Sequence, residues 1–201
     1  MTKARVVQFA TPGGPEVMAL CTVDLPDPRA GEVRIRQTAI GLNLQEIYQR
    51  SGVYRMPSPS GLGSEAAGVV EKVGEGVSSF REGDRVCYGG GEPGAYADRR
   101  NYPAARLLKI PDGLSDEVAA ATLFKGMTVE YLLNRCHALK AGQPALFYAA
   151  AGGIGLIAGQ WGKHLGAEMI GVASARKSAG SRLRTATRMR STARARTWSH
   201  V

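Results

Sequence analysis

The fold is decided by one stretch of the chain, Leu146-Phe147-Tyr148-Ala149-Ala150-Ala151-Gly152-Gly153-Ile154-Gly155-Leu156-Ile157-Ala158. An apolar run ends at a cluster of Ala and Gly, and an amphipathic segment follows, which is typical of a β-strand that turns sharply into a helix. The first turn of such a helix presents backbone N–H groups that can bind an anion. Gly152 and Gly153 allow a tight turn and the close approach of a pyrophosphate, and Gly155 allows the helix to pack closely on the strand.

The flanking sequence supplies the context that this glycine spacing requires. Alone, the spacing is a weak variant of G-x-G-x-x-G, and a tight turn that binds nothing can have it too. Residues 153–166 have helical length, and the strand pattern returns at 169–173. The predicted apolar face of the helix consists of Ile154, Ile157, Ala158, Trp161 and Leu165. The strand–helix–strand order predicts a Rossmann unit with a dinucleotide site at its first turn.

Length and composition indicate a globular protein of one large or two small domains. The chain has 201 residues, of which 44% are hydrophobic, and it contains no apolar run of the roughly 18 residues that suggest a membrane span. The N-terminus lacks a signal-peptide core, so we expect cytoplasmic residence. Cys21, Cys87 and Cys136 are far apart, and they fit neither a disulfide framework nor a CxxC zinc site.

The net charge of +9 belongs almost entirely to the C-terminal tail. Residues 175–201 contain eight Arg or Lys residues and no Asp or Glu. Their apolar content is too low to offset the entropy of ordering, so we expect a disordered tail. A non-enzymatic protein that binds nucleic acid through this tail is one alternative, although Trp198 is the only aromatic residue there that could stack on a base.

The sequence before the glycine-rich stretch predicts a compact β domain. Alternating or β-branched segments at 4–9, 32–40 and 66–73, separated by Gly and Pro clusters, indicate short strands of a barrel-like fold. Ser115 is a plausible N-cap for a following helix, with acidic residues in its first turn. The segment 118–133 is mostly helical in pattern, with an expected break near Lys125 and Gly126.

Several motifs together resemble the quinone oxidoreductases (ζ-crystallin-like) of the zinc-free medium-chain dehydrogenase/reductase superfamily. The likeness is nearly continuous from Met1 to about Ser174. The motifs are, in order, Pro12-Gly13-Gly14-Pro15-Glu16-Val17, Gly41-Leu42-Asn43-Leu44-Gln45-Glu46-Ile47-Tyr48-Gln49-Arg50-Ser51-Gly52-Val53-Tyr54, Gly61-Leu62-Gly63-Ser64-Glu65-Ala66-Ala67-Gly68, Gly83-Asp84-Arg85-Val86, Phe124-Lys125-Gly126-Met127-Thr128 and the run from Gly142 to Lys163.

The resemblance implies an α/β protein with a GroES-like, β-rich catalytic domain at 1–124 and the start of a Rossmann NADPH-binding domain at 125–174. The doubly wound domain would be incomplete, because the tail at 175–201 does not continue its pattern. Zinc-dependent relatives have a Cys at the position of Asn43 and a His at the position of Ser64, so we expect no metal. Relatives are often homodimers, which is doubtful for a shortened chain.

The resemblance also implies the site and its chemistry, reduction of a quinone by NADPH without a metal. The catalytic candidates are Tyr48, Tyr54 and Asn43, since the two phenols can line the quinone pocket. The cofactor candidates are Asn43, Tyr48, Thr128, Tyr131, Ala151, Gly152, Gly153, Ile154, Gly155, Ser174 and Lys177. A hydroxyl and cations after the second strand suit a 2′-phosphate, which favours NADPH. Glu46 is expected to orient its neighbours rather than transfer protons.

We interpret the tail as the product of a frameshift after about residue 174. A shift of one base lets 186–191 encode Gly-x-Ala-Asp-Ala-Val and 196–199 encode Glu-Asp-Leu-Val, which are strings that the family places here. The expected consequences are an unpaired sheet edge, poor solubility and impaired turnover. An enoyl or other medium-chain reductase on the same scaffold is the remaining alternative.

Overall fold

The computed structural model describes residues 1–173 in full and the backbone of residues 188–191. The chain divides into two compact units, Met1–Phe124 and Lys125–Val201. The expected frameshifted tail therefore lies outside the described residues, apart from the four at 188–191.

The first unit is built on two antiparallel sheets. One has the order β2-β1-β4 and the other the order β7-β3-β5-β6-β8. The strands are β1 (Thr2–Phe9), β2 (Ala19–Leu25), β3 (Glu32–Ile40), β4 (Ser60–Gly61), β5 (Glu65–Val73), β6 (Arg85–Gly89), β7 (Arg99–Pro103) and β8 (Leu108–Lys109), with a short helix α1 (Leu44–Arg50) after β3. The strands predicted from alternation at 4–9, 32–40 and 66–73 are confirmed as β1, β3 and β5.

The core of the larger sheet follows from the period of two in its strands. Val33 and Ile35 of β3 have no exposed surface, and Tyr88 of β6 is 1% exposed. The Tyr88 ring stacks on Tyr102 with a centroid separation of 4.1 Å, and its hydroxyl donates to Gln37 Oε1 at 2.5 Å. This core ties β3, β6 and β7 together, and β3 leads directly to the segment that carries the candidate site.

The long helix α2 (Asp116–Glu130) runs through the position where the sequence predicts a break. Ser115 Oγ accepts the N–H of Val118 at 3.2 Å, as expected of an N-cap. The prediction of a break near Lys125 and Gly126 is wrong, because a Gly inside a helix costs only about 1 kcal/mol and removes no hydrogen bond. The irregularity comes later, where Tyr131–Cys136 winds as a π-helix.

The second unit contains a parallel strand–helix–strand arrangement. It consists of β9 (Pro144–Tyr148), α3 (Gly153–His164) and β10 (Glu168–Ala173), and Ala158 of α3 is fully buried. The predicted helix face is wrong at Ile154, which is 36% exposed. In its place the buried face includes Gly155, Gly159 and Gly162. Glycine allows the helix backbone to approach the sheet, a contact that a pattern of large apolar residues does not reveal.

A further strand, β11 (Arg188–Ser191), pairs in parallel with β10. These four residues belong to the tail for which disorder is predicted, and for the other residues of 175–201 that prediction falls outside the described part of the chain. Without β11, β10 would present an unpaired row of N–H and C=O groups, which any extended segment can satisfy regardless of its side chains. Disorder of the tail is predicted from its low content of apolar side chains. Pairing between backbone groups does not depend on that content.

We expect alkaline pH to destabilise the first unit through two of the seven tyrosines. Burial raises the pKa of Tyr88 to about 12, and burial together with the charges of Glu46 and Glu65 raises that of Tyr96 to about 12. The fold thus favours the neutral phenols, so their contribution to stability is complete below about pH 10 and is lost as the pH rises towards 12. Ultraviolet absorbance of phenolate should show two late ionisations that coincide with loss of the circular dichroism signal. Full phenolate formation with the fold intact at pH 11 would contradict this.

Candidate functional site

The turn between β9 and α3 reverses direction at Ala149. Ala149 has a φ of 53°. Among the described residues, it is the single non-glycine residue with a positive φ. Gly152 has a φ of −81° in extended conformation, and its N–H donates to the Ala149 carbonyl at 2.8 Å. Gly152 therefore lies in the tight turn, as predicted, while the left-handed residue of that turn is Ala149.

Replacing Ala149 with Gly should raise the free energy of unfolding of the second unit by about 0.5 kcal/mol. Removing the Cβ relieves a left-handed penalty of about 1 kcal/mol, and the greater freedom of Gly in the unfolded chain offsets about half of it. Urea unfolding measures the change. The neighbouring substitution Ala150→Gly relieves no such penalty and should lower stability by about 1 kcal/mol. If both variants lose stability, the left-handed conformation at residue 149 is not costly.

Gly155 brings the first turn of α3 against the backbone of the preceding turn. A Cβ added at Gly155 would lie 2.5 Å from the carbonyl oxygen of Ala150, which is far inside contact distance. A Cβ added at Gly153 would lie 2.9 Å from Cδ of Lys125, whose side-chain stem crosses this turn. Lys125 was not predicted as a site residue, although it belongs to a motif that the sequence singles out.

The N-terminus of α3 has the features of an anion cradle. Gly152, the N-cap, provides no side-chain hydrogen bond, and Gly152, Gly153 and Ile154 are exposed. A 12-residue helix leaves its first N–H groups without intrahelical acceptors and carries partial positive charge at this end. The residues present therefore fit a pyrophosphate, and the close approach at Gly155 fits it as well.

In the first unit, Asn43 lies between two buried carboxylates. Its backbone N–H donates to Glu46 Oε2 at 2.6 Å, and its side-chain Nδ2 donates to Glu65 Oε1 at 3.0 Å. Glu65 also accepts the N–H of Phe124 at 3.3 Å. Glu65 has no exposed surface, and Glu46 is 4% exposed. Asn43 is thus constrained through both its backbone and its amide.

Glu65 was missed as a candidate in the sequence, where it appeared only as a neighbour of Ser64. Its side chain lies across Gly41, where any Cβ would overlap it, and Ser64 beside it accepts a hydrogen bond from Gln45. The sequence does place a carboxylate directly before a run of small, apolar residues that forms a strand. Because a carboxylate is almost never fully buried without partners, that position could have indicated a site residue.

The structure brings Tyr48 and Tyr54 together. Their ring centroids are 5.5 Å apart in an edge-to-face arrangement, and the Tyr54 N–H donates to the Tyr48 carbonyl at 3.0 Å. The side chains are 38% and 50% exposed. Further apolar residues of α1 and its flanks are also exposed, namely Leu42, Leu44, Ile47 and Val53. This surface can accept a flat ring, and the phenols can donate hydrogen bonds to an oxygen atom on that ring.

The remaining candidates lie in the second unit or outside the described residues. Thr128 lies in the last turn of α2, and Tyr131 begins the π-helix with 55% of its surface exposed. Hydrogen bonding with Cys136 raises the pKa of Tyr131. Ser174 and Lys177, which carry the preference for a 2′-phosphate, lie outside the described residues.

The described part of the chain contains neither a metal-binding cluster nor a membrane-spanning helix. Across residues 1–173 and 188–191, no three His, Cys, Asp or Glu side chains are grouped to hold a metal ion. None of the helices described is both long and apolar enough to span a bilayer. A pocket of about 530 Å³ in the first unit is bounded by Gln37, Ile40 and Tyr96, and it does not include Asn43, Tyr48 or Tyr54.

Comparison with known proteins gives one consistent relationship. Residues 29–112 match the alcohol dehydrogenase GroES-like domain. The chain is 48% identical to a quinone oxidoreductase of Pseudomonas aeruginosa, over 88% of this chain and 54% of that protein. It is 43% identical to a 2-haloacrylate reductase of Burkholderia, over 83% of this chain and 52% of that protein.

The solved structures agree with this relationship. Escherichia coli quinone oxidoreductase, complexed with NADPH, superimposes with a TM-score of 0.88 at 44% identity, over 91% of this chain and 56% of that one. The chain spans about half the length of the curated relatives that it matches. Its α/β architecture joins a GroES-like domain to the strand–helix–strand unit of a Rossmann domain. Over about half of their length, the chain is thus similar to quinone oxidoreductases, and residues 29–112 match the alcohol dehydrogenase GroES-like domain.

Proposed function

We propose that this chain takes part in the NADPH-dependent reduction of quinones without a metal ion. The observation that carries the proposal is the α3 N-terminus, where Gly155 packs on the Ala150 backbone and leaves an exposed, uncapped helix end. The family relationship supports it, because the matching Escherichia coli structure is an NADPH complex of a quinone oxidoreductase. Residues 1–124 would supply the surface that binds the quinone, and residues 125–174 would form the start of the nucleotide-binding domain.

The chain's own residues bind, orient and shield. The first-turn N–H groups of α3 bind the pyrophosphate, aided by the helix dipole, and Ala151, Gly152, Gly153 and Ile154 line it. Asn43, Thr128 and Tyr131 are assigned to the nicotinamide end, and Ser174 and Lys177 to the 2′-phosphate. Tyr48 and Tyr54 bind the flat acceptor and donate hydrogen bonds to its oxygen. NADPH, when bound, supplies the hydride, so the protein needs to align the partners and exclude water.

Direct titration of the full chain with NADPH, followed by cofactor fluorescence, tests the proposal. We expect saturable binding, weaker binding of NADH, and NADPH oxidation on addition of 1,4-benzoquinone. Tyr48→Phe keeps the ring and removes the hydroxyl, so it should lower turnover with little effect on NADPH affinity. Absence of NADPH binding by a folded chain would refute the proposal.

A second candidate function is reduction of an electron-poor alkene. The 43% identity to a 2-haloacrylate reductase favours it, and both reactions use the same scaffold and hydride donor. Parallel assays with 1,4-benzoquinone and 2-chloroacrylate separate the two functions. Faster NADPH oxidation with 2-chloroacrylate would make the alkene the preferred acceptor.

Assembly, localisation and tail function stay predictions. We propose a small-molecule acceptor as the partner, with dimer formation doubtful and nucleic acid an unfavoured ligand of the basic tail. Cytoplasmic residence is proposed on the sequence alone. Removing residues 175–201 should leave nucleic-acid retention on a DNA column unchanged at physiological salt. A loss of retention would favour the binding-protein alternative.

A further inference from the structure

Glu46 is a buried carboxylate whose hydrogen bonding is only half complete. One oxygen, Oε2, accepts the Asn43 N–H at 2.6 Å. The other, Oε1, is buried and has no hydrogen-bond partner, in a residue that is 4% exposed. Within residues 1–173, Glu46 also forms no ion pair with a Lys or Arg. Such a group is costly, because burial of a charge is normally offset by a partner.

Orientation of Asn43 does not by itself require this charge. A neutral side-chain oxygen, such as that of Gln, accepts a backbone N–H equally well in the capping position. The negative charge of Glu46 does act on its surroundings, since after burial it is the next largest cause of the raised pKa of Tyr96. The buried oxygen without a hydrogen-bond partner therefore points to a role towards a group that binds nearby.

We propose that the charge of Glu46 favours the oxidised over the reduced nicotinamide ring in the site formed around Asn43. The inference rests on the proposed function, which assigns Asn43 to the nicotinamide end and Tyr48 to the acceptor that faces it. Glu46 is the third residue of α1, and in the sequence it lies between the N-cap Asn43 and Tyr48. The oxidised ring carries one more positive charge than the reduced ring, so a nearby buried carboxylate stabilises the oxidised form selectively.

The same preference would favour hydride transfer. The cofactor, when bound, would supply the hydride, and the fixed negative charge of Glu46 would stabilise the more positive ring that remains over the neutral ring. Glu46 is then a positioning residue with two parts to its role: one oxygen orients Asn43 through its N–H, and the carboxylate charge sets the balance between the two cofactor forms.

The test compares the affinities of the full chain for NADP⁺ and NADPH in the wild type and in Glu46→Gln. Calorimetry measures both dissociation constants at one pH and one salt concentration. Glu46→Gln keeps the size of the side chain and an acceptor for Asn43, and it removes the charge. We expect the ratio of the NADP⁺ constant to the NADPH constant to rise about tenfold, as estimated from a unit charge in an environment of intermediate dielectric constant. Circular dichroism checks the fold of the variant.

Glu71→Gln is the matched control. The substitution removes one negative charge from Glu71, which lies on β5 six residues, or about 20 Å, from Glu65. The Glu71 carboxylate pairs with Arg99 at 3.0 Å. Its ratio should equal that of the wild type. Glu46→Ala, which buries no extra N–H donor, is the second charge-free variant in case Glu46→Gln does not fold, and we expect the same rise.

Each outcome is decisive. An unchanged ratio in the charge-free variants, or an equal loss of affinity for both cofactor forms, overturns the charge role and leaves the proposed function intact. A similar rise in Glu71→Gln also overturns it, because the effect would then be one of net charge. If the wild-type chain is folded and binds neither NADP⁺ nor NADPH, the proposed function fails and this inference fails with it.

Discussion

Gly155→Ala is expected to destabilise the second unit by about 3 kcal/mol, the upper part of the range for overpacking a closely packed site. The added Cβ would meet the carbonyl oxygen of Ala150 at 2.5 Å. Backbone atoms cannot rotate away, so α3 has to move from the turn that positions its N–H groups. NADPH affinity should fall at least tenfold with it. Urea unfolding followed by tryptophan fluorescence measures stability, because Trp161 lies in α3.

Gly126→Ala is the control for this substitution. Gly126 lies inside α2, and a Cβ added there has no atom within 4 Å. The same methyl group should therefore raise stability by about 1 kcal/mol through helix propensity. Equal effects of the two substitutions would show that close packing at Gly155 does not control the turn.

Arg34→Met is expected to destabilise the first unit by about 3 kcal/mol, because it removes the donor from a buried polar cluster. The side chain of Arg34 is 4% exposed. Its guanidinium donates to the carbonyl oxygens of Pro26 at 2.6 Å and Leu25 at 3.3 Å, and to Asn101 Oδ1 at 3.3 Å. Methionine fills much of the volume and donates nothing. Hydrogen exchange of the β3 and β7 amides measures the loss of protection.

Arg36→Met provides the comparison within the same strand. Arg36 is exposed, so its substitution should change the free energy of unfolding by less than about 0.5 kcal/mol. A loss of stability that is the same for both arginines would mean that net charge, and not the buried hydrogen bonds, stabilises this region.

Much of the fold could be predicted from local pattern. The strand at Glu32–Ile40 was predicted with its observed bounds, because alternating side chains on a half-buried strand show its period directly. The order of strand, turn, helix and strand around Gly152 was also predicted. The break expected near Gly126 was wrong, since propensity is a weak prior that packing along a 15-residue helix overrides.

The candidate site was predictable in its outline only. The spacing of Gly152 and Gly155 indicated the helix end, and the resemblance indicated Asn43 and the two tyrosines. The buried Glu65 was missed, because its partner Asn43 lies 22 residues away in the sequence. The side chain of Lys125 at Gly153 was missed for the same reason, since the two positions meet only in the folded chain.

The sequence by itself determined where strands and helices form and where an anion can meet a helix end, because side-chain period and glycine content act over a few neighbouring residues. Only the tertiary structure decided that Ala149 takes the left-handed conformation, that Ile154 points away from the packed face, and that Asn43 is held between two carboxylates. The contact between Glu65 and Asn43 and the packing of α3 on its sheet join distant segments, and such contacts form only when the chain has closed around its core.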